Sequence, residues 1–200
     1  DYTPIYDRIE AGTFMIAAAI TNSKIRINGV NEEHLRPLIE KLKESGVVFS
    51  EYKNYSVTVD GRYKRNPLDI KTLPYPGFPT DMQAQIMSLL SVTEGVSVIT
   101  ETVFENRFMH VAELQRMGAN IKIDGRTAIV EGVPKLTGCQ VKATDLRAGA
   151  AMILGGLVAE GETTVSDVYH IDRGYVDIEG KFRNIGADTV SYTHLRAHET

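Results

Sequence analysis

A single cysteine, Cys139, in 200 residues removes two common ways of stabilising or activating a chain. No internal disulfide can form, no thiolate zinc site can be assembled, and this usage fits a reducing compartment. A surplus of cations is equally absent: 22 Lys and Arg stand against 26 Asp and Glu, for a formal net charge of -4. Without a basic block there is no general attraction to nucleic acid, so any anionic ligand must meet individually placed arginines. No apolar run reaches the roughly 18–20 residues that span a bilayer. The opening DYTPIYDRIE lacks the basic and apolar regions of a signal peptide and begins without Met, as a fragment would. The chain is expected to be cytoplasmic, with no nucleic-acid and no membrane partner. What is present, 42% hydrophobic and 24% charged residues, is enough to build one large globular core or two small ones.

A degenerate repeat organises the chain. AGTFMIAAAI (11–20), MQAQIMSLLSV (82–92) and LRAGAAMILGGLVA (146–159) carry little polar stripe, which for a helix means burial on nearly all sides. Each is followed by a polar or glycine turn and a β-rich run: KIRINGV, VSVITETV and TTVSDVYHI. An amphipathic helix comes next. Leu35, Leu38, Ile39 and Leu42 fall on one face before Gly46, Phe108, Val111, Leu114 and Met117 before Gly118, and Tyr175, Ile178, Phe182 and Ile185 before Gly186. Alternating strand pairs close the first two copies, VVFSEYKNYSVTVDG and NIKIDGRTAIVEG, the second turning at Asp124-Gly125. The unit is β-α-β-α-β-β or a permutation of it, about 65–70 residues long, with boundaries near 1–66, 67–134 and 135–190. Three such units predict one α/β domain over 1–190 with the apolar helices inside and the sheets outside. Residues 191–200, SYTHLRAHET, break the pattern and read as disordered or non-native sequence; His194 and His198 there have the spacing of a metal pair but no third ligand.

An acidic residue stands at the start of each apolar helix: Asp7 in YDRIEAGT, Asp81 in FPTDMQAQ and Asp145 in KATDLRAGA. Local energetics explain much of this. Thr80 and Gln83 have capping-box spacing, and a first-turn carboxylate gains about 0.3–1 kcal/mol from the helix dipole. Arg147 does not fit that account, because a cation in a first turn opposes the dipole; something anionic is expected beside it. Helix N-termini brought to one end by the repeat would add free N–H groups to such a site. Arg173, in YHIDRGY, reads alone as a partner of Asp172 or a surface group, and together with Arg147 as a clamp for a carboxylate or phosphate. Cys139, in KLTGCQV, reads as a packing residue.

DRIEAGTFMIAAAI, FPTDMQAQ, TETVFENRFMH, ATDLRA and YHIDRGY, in this order and spacing, resemble the C-terminal half of the UDP-N-acetylglucosamine 1-carboxyvinyltransferases, the enolpyruvyl transferases of peptidoglycan synthesis. The likeness extends from about Asp1 to Val190. It implies an inside-out α/β barrel built from three repeats. It also implies transfer of the enolpyruvyl group of phosphoenolpyruvate to the 3-hydroxyl of UDP-N-acetylglucosamine, without cofactor or metal. On this resemblance Asp81 contacts the sugar hydroxyl and handles its proton, and Arg147 and Arg173 hold the phosphoenolpyruvate anion and accompany domain closure. Val103 touches the nucleotide sugar through its backbone, Phe104 lines the same wall, and Asp145, Arg107 and Asp7 support them. The family's other half supplies a loop cysteine, a lysine–asparagine pair and further arginines, none of which has a counterpart here. Two alternatives follow: a related transferase acting on shikimate 3-phosphate, or a folded, ligand-binding fragment without activity.

Overall fold

The computed structural model describes residues 5–191. Its first unit comprises α1 (Arg8–Ile20), β1 (Lys24–Asn28), α2 (Glu32–Ser45), β2 (Val48–Lys53) and β3 (Ser56–Asp60). The second comprises β4 (Asp69–Lys71), a 3-10 turn at Thr80–Met82, α3 (Gln83–Ser91), β5 (Val96–Thr100), α4 (His110–Arg116), β6 (Asn120–Asp124) and β7 (Thr127–Glu131). The third comprises β8 (Gln140–Lys142), α5 (Leu146–Gly156), β9 (Thr164–Ser166), α6 (Tyr169–Asp172) and α7 (Ile178–Asn184). Ser191 apart, the tail and its two histidines lie outside the described residues.

Each unit carries its own sheet, ordered β1-β3-β2, β4-β5-β7-β6 and β8-β9. β4 runs parallel to β5 and β8 parallel to β9, because α3 and α5 carry the chain back between them. The hairpin of β6 and β7 turns through Gly125, whose φ of +57° suits a residue without a Cβ, and pairs Asp124 with Thr127.

The apolar helices α1, α3 and α5 pack on one another at the centre. Met15, Ile16 and Ala19 of the first, Ile86, Leu89 and Leu90 of the second, and Ala151, Met152 and Leu154 of the third are enclosed on all sides. Each fully buried Leu or Ile contributes roughly 1.5–3 kcal/mol, which is why these segments show no polar stripe. Ser88, enclosed among them, donates to the Ala151 carbonyl at 2.9 Å and so ties α3 to α5. Outside, α2 buries Leu35, Leu38, Ile39 and Leu42 and stops at Gly46, which takes φ +106° and closes the helix end onto the Lys43 and Leu42 carbonyls. None of the helices in the described residues is long and apolar enough to cross a membrane.

Several local expectations need correction. Thr80 and Gln83 do not form a capping box: no side chain caps the start of α3, and the Thr80 hydroxyl is drawn 2.8 Å to Glu101 instead. The strand expected over TTVSDVYHI ends at Ser166, because Asp167 takes a left-handed φ of +59° and α6 begins at Tyr169. Phe108 precedes α4 and Tyr175 precedes α7, so both belong to connections although both pack inward.

Candidate functional site

The starts of α1, α3 and α5 share one end of the molecule. Arg8, which begins α1, lies 5.4 Å above the ring of Tyr75, and Arg147, in the first turn of α5, reaches the carboxylate that precedes α3. That carboxylate is Asp81. Its Oδ1 accepts from Arg107 Nη2 at 2.6 Å and its Oδ2 from Arg147 Nη2 at 3.4 Å. Burial pushes the Asp81 carboxyl up, but the Arg147 charge and the Arg107 hydrogen bond outweigh it and hold the group below the ordinary aspartate value of 3.8. The side chain keeps 39% of its surface exposed, so the ionised oxygens face an opening.

The other two helix-start aspartates behave differently. Asp7 accepts from the Ile9 and Glu10 amides at 2.8 and 3.1 Å, and Asp145 from the Arg147 and Ala148 amides at 2.7 and 2.8 Å. Both are N-caps. Asp145 thus orders the turn that presents Arg147, and Asp81, in a 3-10 turn with no capping bond, is left to meet cations.

Val103 and Phe104 form the neighbouring wall. Their amides donate to one oxygen of Glu101 at 2.9 and 3.1 Å, which fixes the chain as it leaves β5. Arg107 then folds back over the Phe104 ring, 4.8 Å from its centre, and its second nitrogen donates to Thr80 at 3.1 Å. Asp81, Thr80, Val103, Leu73, Tyr75 and Arg8 line a cavity of about 100 Å³. A larger cleft of about 460 Å³ lies beyond the far ends of α1 and α3, at Asn22 and Glu94. It is poorly suited to anions: it faces helix C-termini, Asp60 holds Arg62 at 2.7 Å, and Arg65 donates to the Ala19 carbonyl at 2.7 Å.

The structure therefore brings together Asp81, Arg107, Arg147, Val103 and Phe104. Arg173 stands apart: it caps α6, is exposed, and makes no hydrogen bond or ion pair among the described residues, with Asp172 or any other. Two residues on, Tyr175 is buried beneath Arg147, its ring centre 6.0 Å from the guanidinium and its hydroxyl 2.9 Å from Thr13. Two participants escaped the sequence reading. Arg8 carries the same signal as Arg147, a cation in a first turn, so the dipole argument applies to it equally. Glu101 carried no local signal; only the fold shows what it binds. Cys139 is partly buried against the core.

Central helices flanked by sheets, with arginines gathered on a carboxylate where the helices begin, are the arrangement in which the enolpyruvyl transferase family enters. The chain belongs to that family, matching over residues 1–182 the family described as EPSP synthase (3-phosphoshikimate 1-carboxyvinyltransferase). Its sequence is similar to curated UDP-N-acetylglucosamine 1-carboxyvinyltransferases. The Clostridium perfringens protein of that name is 67% identical over 190 residues, 94% of this chain and 45% of the relative. The one from Clostridium acetobutylicum is 69% identical over 186 residues, 93% of this chain and 44% of the relative. The chain thus spans about 45% of the length of the curated relatives it matches. Among solved structures, the enolpyruvyl transferase NikO from Streptomyces tendae superposes with a TM-score of 0.85 at 30% identity, covering 94% of this chain and 45% of NikO. EPSP synthase from Acinetobacter baumannii superposes at 0.65 with 21% identity over 82% of this chain and 40% of that one, a likeness of fold alone.

Proposed function

We propose that this chain is the C-terminal domain, over residues 1–190, of a cytoplasmic enzyme. The enzyme moves the enolpyruvyl group of phosphoenolpyruvate to the 3-hydroxyl of UDP-N-acetylglucosamine, the first committed step of peptidoglycan synthesis. The observation that carries the reading is Asp81 held between Arg107 and Arg147 beside the Val103–Phe104 wall. In the addition step the sugar oxygen bonds to C2 of phosphoenolpyruvate while C3 gains a proton. Elimination then removes a proton from C3 and phosphate from C2, restoring the double bond. The chemistry requires a group for the hydroxyl proton and cations for the phosphate and carboxylate.

An aspartate pinned by two guanidinium groups is a weak base, because its conjugate acid is strong. An incoming phosphoenolpyruvate anion competes for Arg147, whose 3.4 Å contact is the looser of the two. Once Arg147 turns to the anion, the burial that already opposes ionisation acts on Asp81 with less compensation, and its affinity for a proton rises beside the sugar hydroxyl. Substrate binding thereby prepares the base. Arg173, exposed at the end of α6, is assigned the same anion on closure, its exposed side chain being unpaired among the described residues.

The test uses the full-length enzyme containing this domain. Asp81→Asn lowers turnover by about 10²–10⁴-fold if the carboxylate takes the proton, measured as phosphate release; turnover near that of the parent removes the base role. The acceptor is checked in the same assay. UDP-N-acetylglucosamine supports phosphate release and shikimate 3-phosphate does not; the reverse result assigns the chain to the shikimate branch. Arg173→Ala raises the KM for phosphoenolpyruvate by about 10–100-fold, the loss of one charge-assisted contact, and an unchanged KM removes Arg173 from the clamp.

A further inference from the structure

Glu101 is 1% exposed, stands just beyond β5, and has no cationic partner among the described residues. A buried carboxylate without a counter-ion is costly unless its oxygens are well supplied with donors. Here they are. Oε1 accepts from the Thr72 hydroxyl at 2.8 Å and from the Val103 and Phe104 amides at 2.9 and 3.1 Å, while Oε2 accepts from the Thr80 hydroxyl at 2.8 Å. Thr72, itself fully buried in the chain after β4, also accepts from the Thr102 amide at 2.9 Å. The single side chain therefore joins two pieces of backbone that the fold brings close but that share no direct backbone ladder. One is the wall at Val103–Phe104, and the other is the turn that carries Asp81.

The geometry points to Glu101 as a positioning residue for the transfer: its two oxygens hold the acceptor wall and the Asp81 turn in one fixed frame, so that a hydroxyl seated on the wall meets the carboxylate. This assignment rests on the proposed function for which substrate the wall receives, but not for the clamp itself. The division of labour between the oxygens makes it specific. Oε1 sets the wall, and Oε2, through Thr80 and the Arg107 nitrogen that Thr80 accepts at 3.1 Å, sets the ion-paired turn.

Kinetics of variants in the full-length enzyme separate the two oxygens. Glu101→Gln keeps an acceptor for the two amides and replaces the oxygen facing Thr80 with a donor. It is expected to lower kcat by about five- to tenfold and to leave the KM for UDP-N-acetylglucosamine within about threefold. Glu101→Ala removes both links and is expected to raise that KM by about tenfold or more as well, with the KM for phosphoenolpyruvate within about twofold. Thr80→Val, which cuts only the second link, reproduces the Gln phenotype even where the Ala variant fails to fold. The assignment is overturned if kcat of both Glu101→Gln and Thr80→Val stays within about twofold of the parent, or if both KM values rise together, as general loosening would produce. Amide exchange in the 200-residue chain gives an answer that does not depend on the substrates. In Glu101→Ala, which leaves the two amides without their acceptor, exchange at Val103 and Phe104 accelerates while exchange in α3 and α5 is unchanged; equal protection at those two amides overturns the clamp. A parent enzyme inactive on these substrates defeats the proposed function, and the exchange result still decides the clamp.

Discussion

His110, at the first position of α4, is 2% exposed, and its Nε2 has no hydrogen-bond partner among the described residues. Burial pushes the imidazole down to about 4, Asp145 opposes this and Arg107 adds to it. The folded chain therefore holds the ring neutral, while the unfolded chain protonates it below the ordinary value of 6.5. Its contribution is complete above 6.5 and is lost as pH falls toward 4, on the order of 3 kcal/mol in total. Urea unfolding of the parent and of His110→Gln between those limits checks this: the parent loses stability with falling pH more steeply than the variant, and parallel curves refute it. Asp81 acts lower on the scale. Its depressed carboxyl value gives a contribution that is present above 3.8 and lost only as pH falls through the folded value. At this scale the acidic residues at the helix starts were legible, while the structure shows which of them cap: Asp7 and Asp145 each accept from amides two and three residues on. Asp81 resembles them in sequence and differs in role, since its partners lie 26 and 66 residues away.

The contact of α5 with α6 shows how one element fixes another. A Cβ built on Gly149 would stand 2.4 Å from Cγ1 of Ile171, which is buried in the short helix that ends at Arg173. Gly149→Ala gains about 1 kcal/mol of helix propensity but loses about 1–3 kcal/mol to overpacking. At so short an approach the overpacking wins. Thermal unfolding should fall by several degrees, and in the full-length enzyme the KM for phosphoenolpyruvate should rise as α6 moves; an unchanged or higher Tm contradicts the packing account. The central helices themselves were readable, because a segment with no polar face has no surface position to occupy. Helix ends were less so. The 3-10 turn at Thr80–Met82 replaces the expected capping box because Glu101, just beyond β5, competes for the threonine hydroxyl. The short β9 likewise depends on Asp167 accepting a left-handed backbone, a preference that aspartate permits but does not impose.

For the molecule as a whole, the size of the site matters. A cavity of about 100 Å³ is well short of the roughly 300–1,000 Å³ that encloses a typical small ligand, and a nucleotide sugar with phosphoenolpyruvate needs more. On the proposed function the cations lie along one wall and the rest of the enzyme supplies the other; the chain spans about 45% of the length of its relatives. The 200-residue chain assayed alone is therefore expected to release no phosphate from phosphoenolpyruvate, and addition of the rest of the enzyme to restore release. Turnover by the isolated chain would show that the opposite wall is dispensable. The sequence by itself determined the buried helices, the acidic residues at their starts and the presence of an unexplained cation at Arg147. All of these rest on periodicity or on contacts within a few residues. Only the tertiary structure decided that Asp81 is ion-paired, that Arg8 joins the same end, that Arg173 stands off, and that Glu101 ties the wall to the turn. Ion pairs and buried hydrogen bonds form over about three ångströms, and it is the packing of helices and sheets that brings residues distant in the chain within that reach.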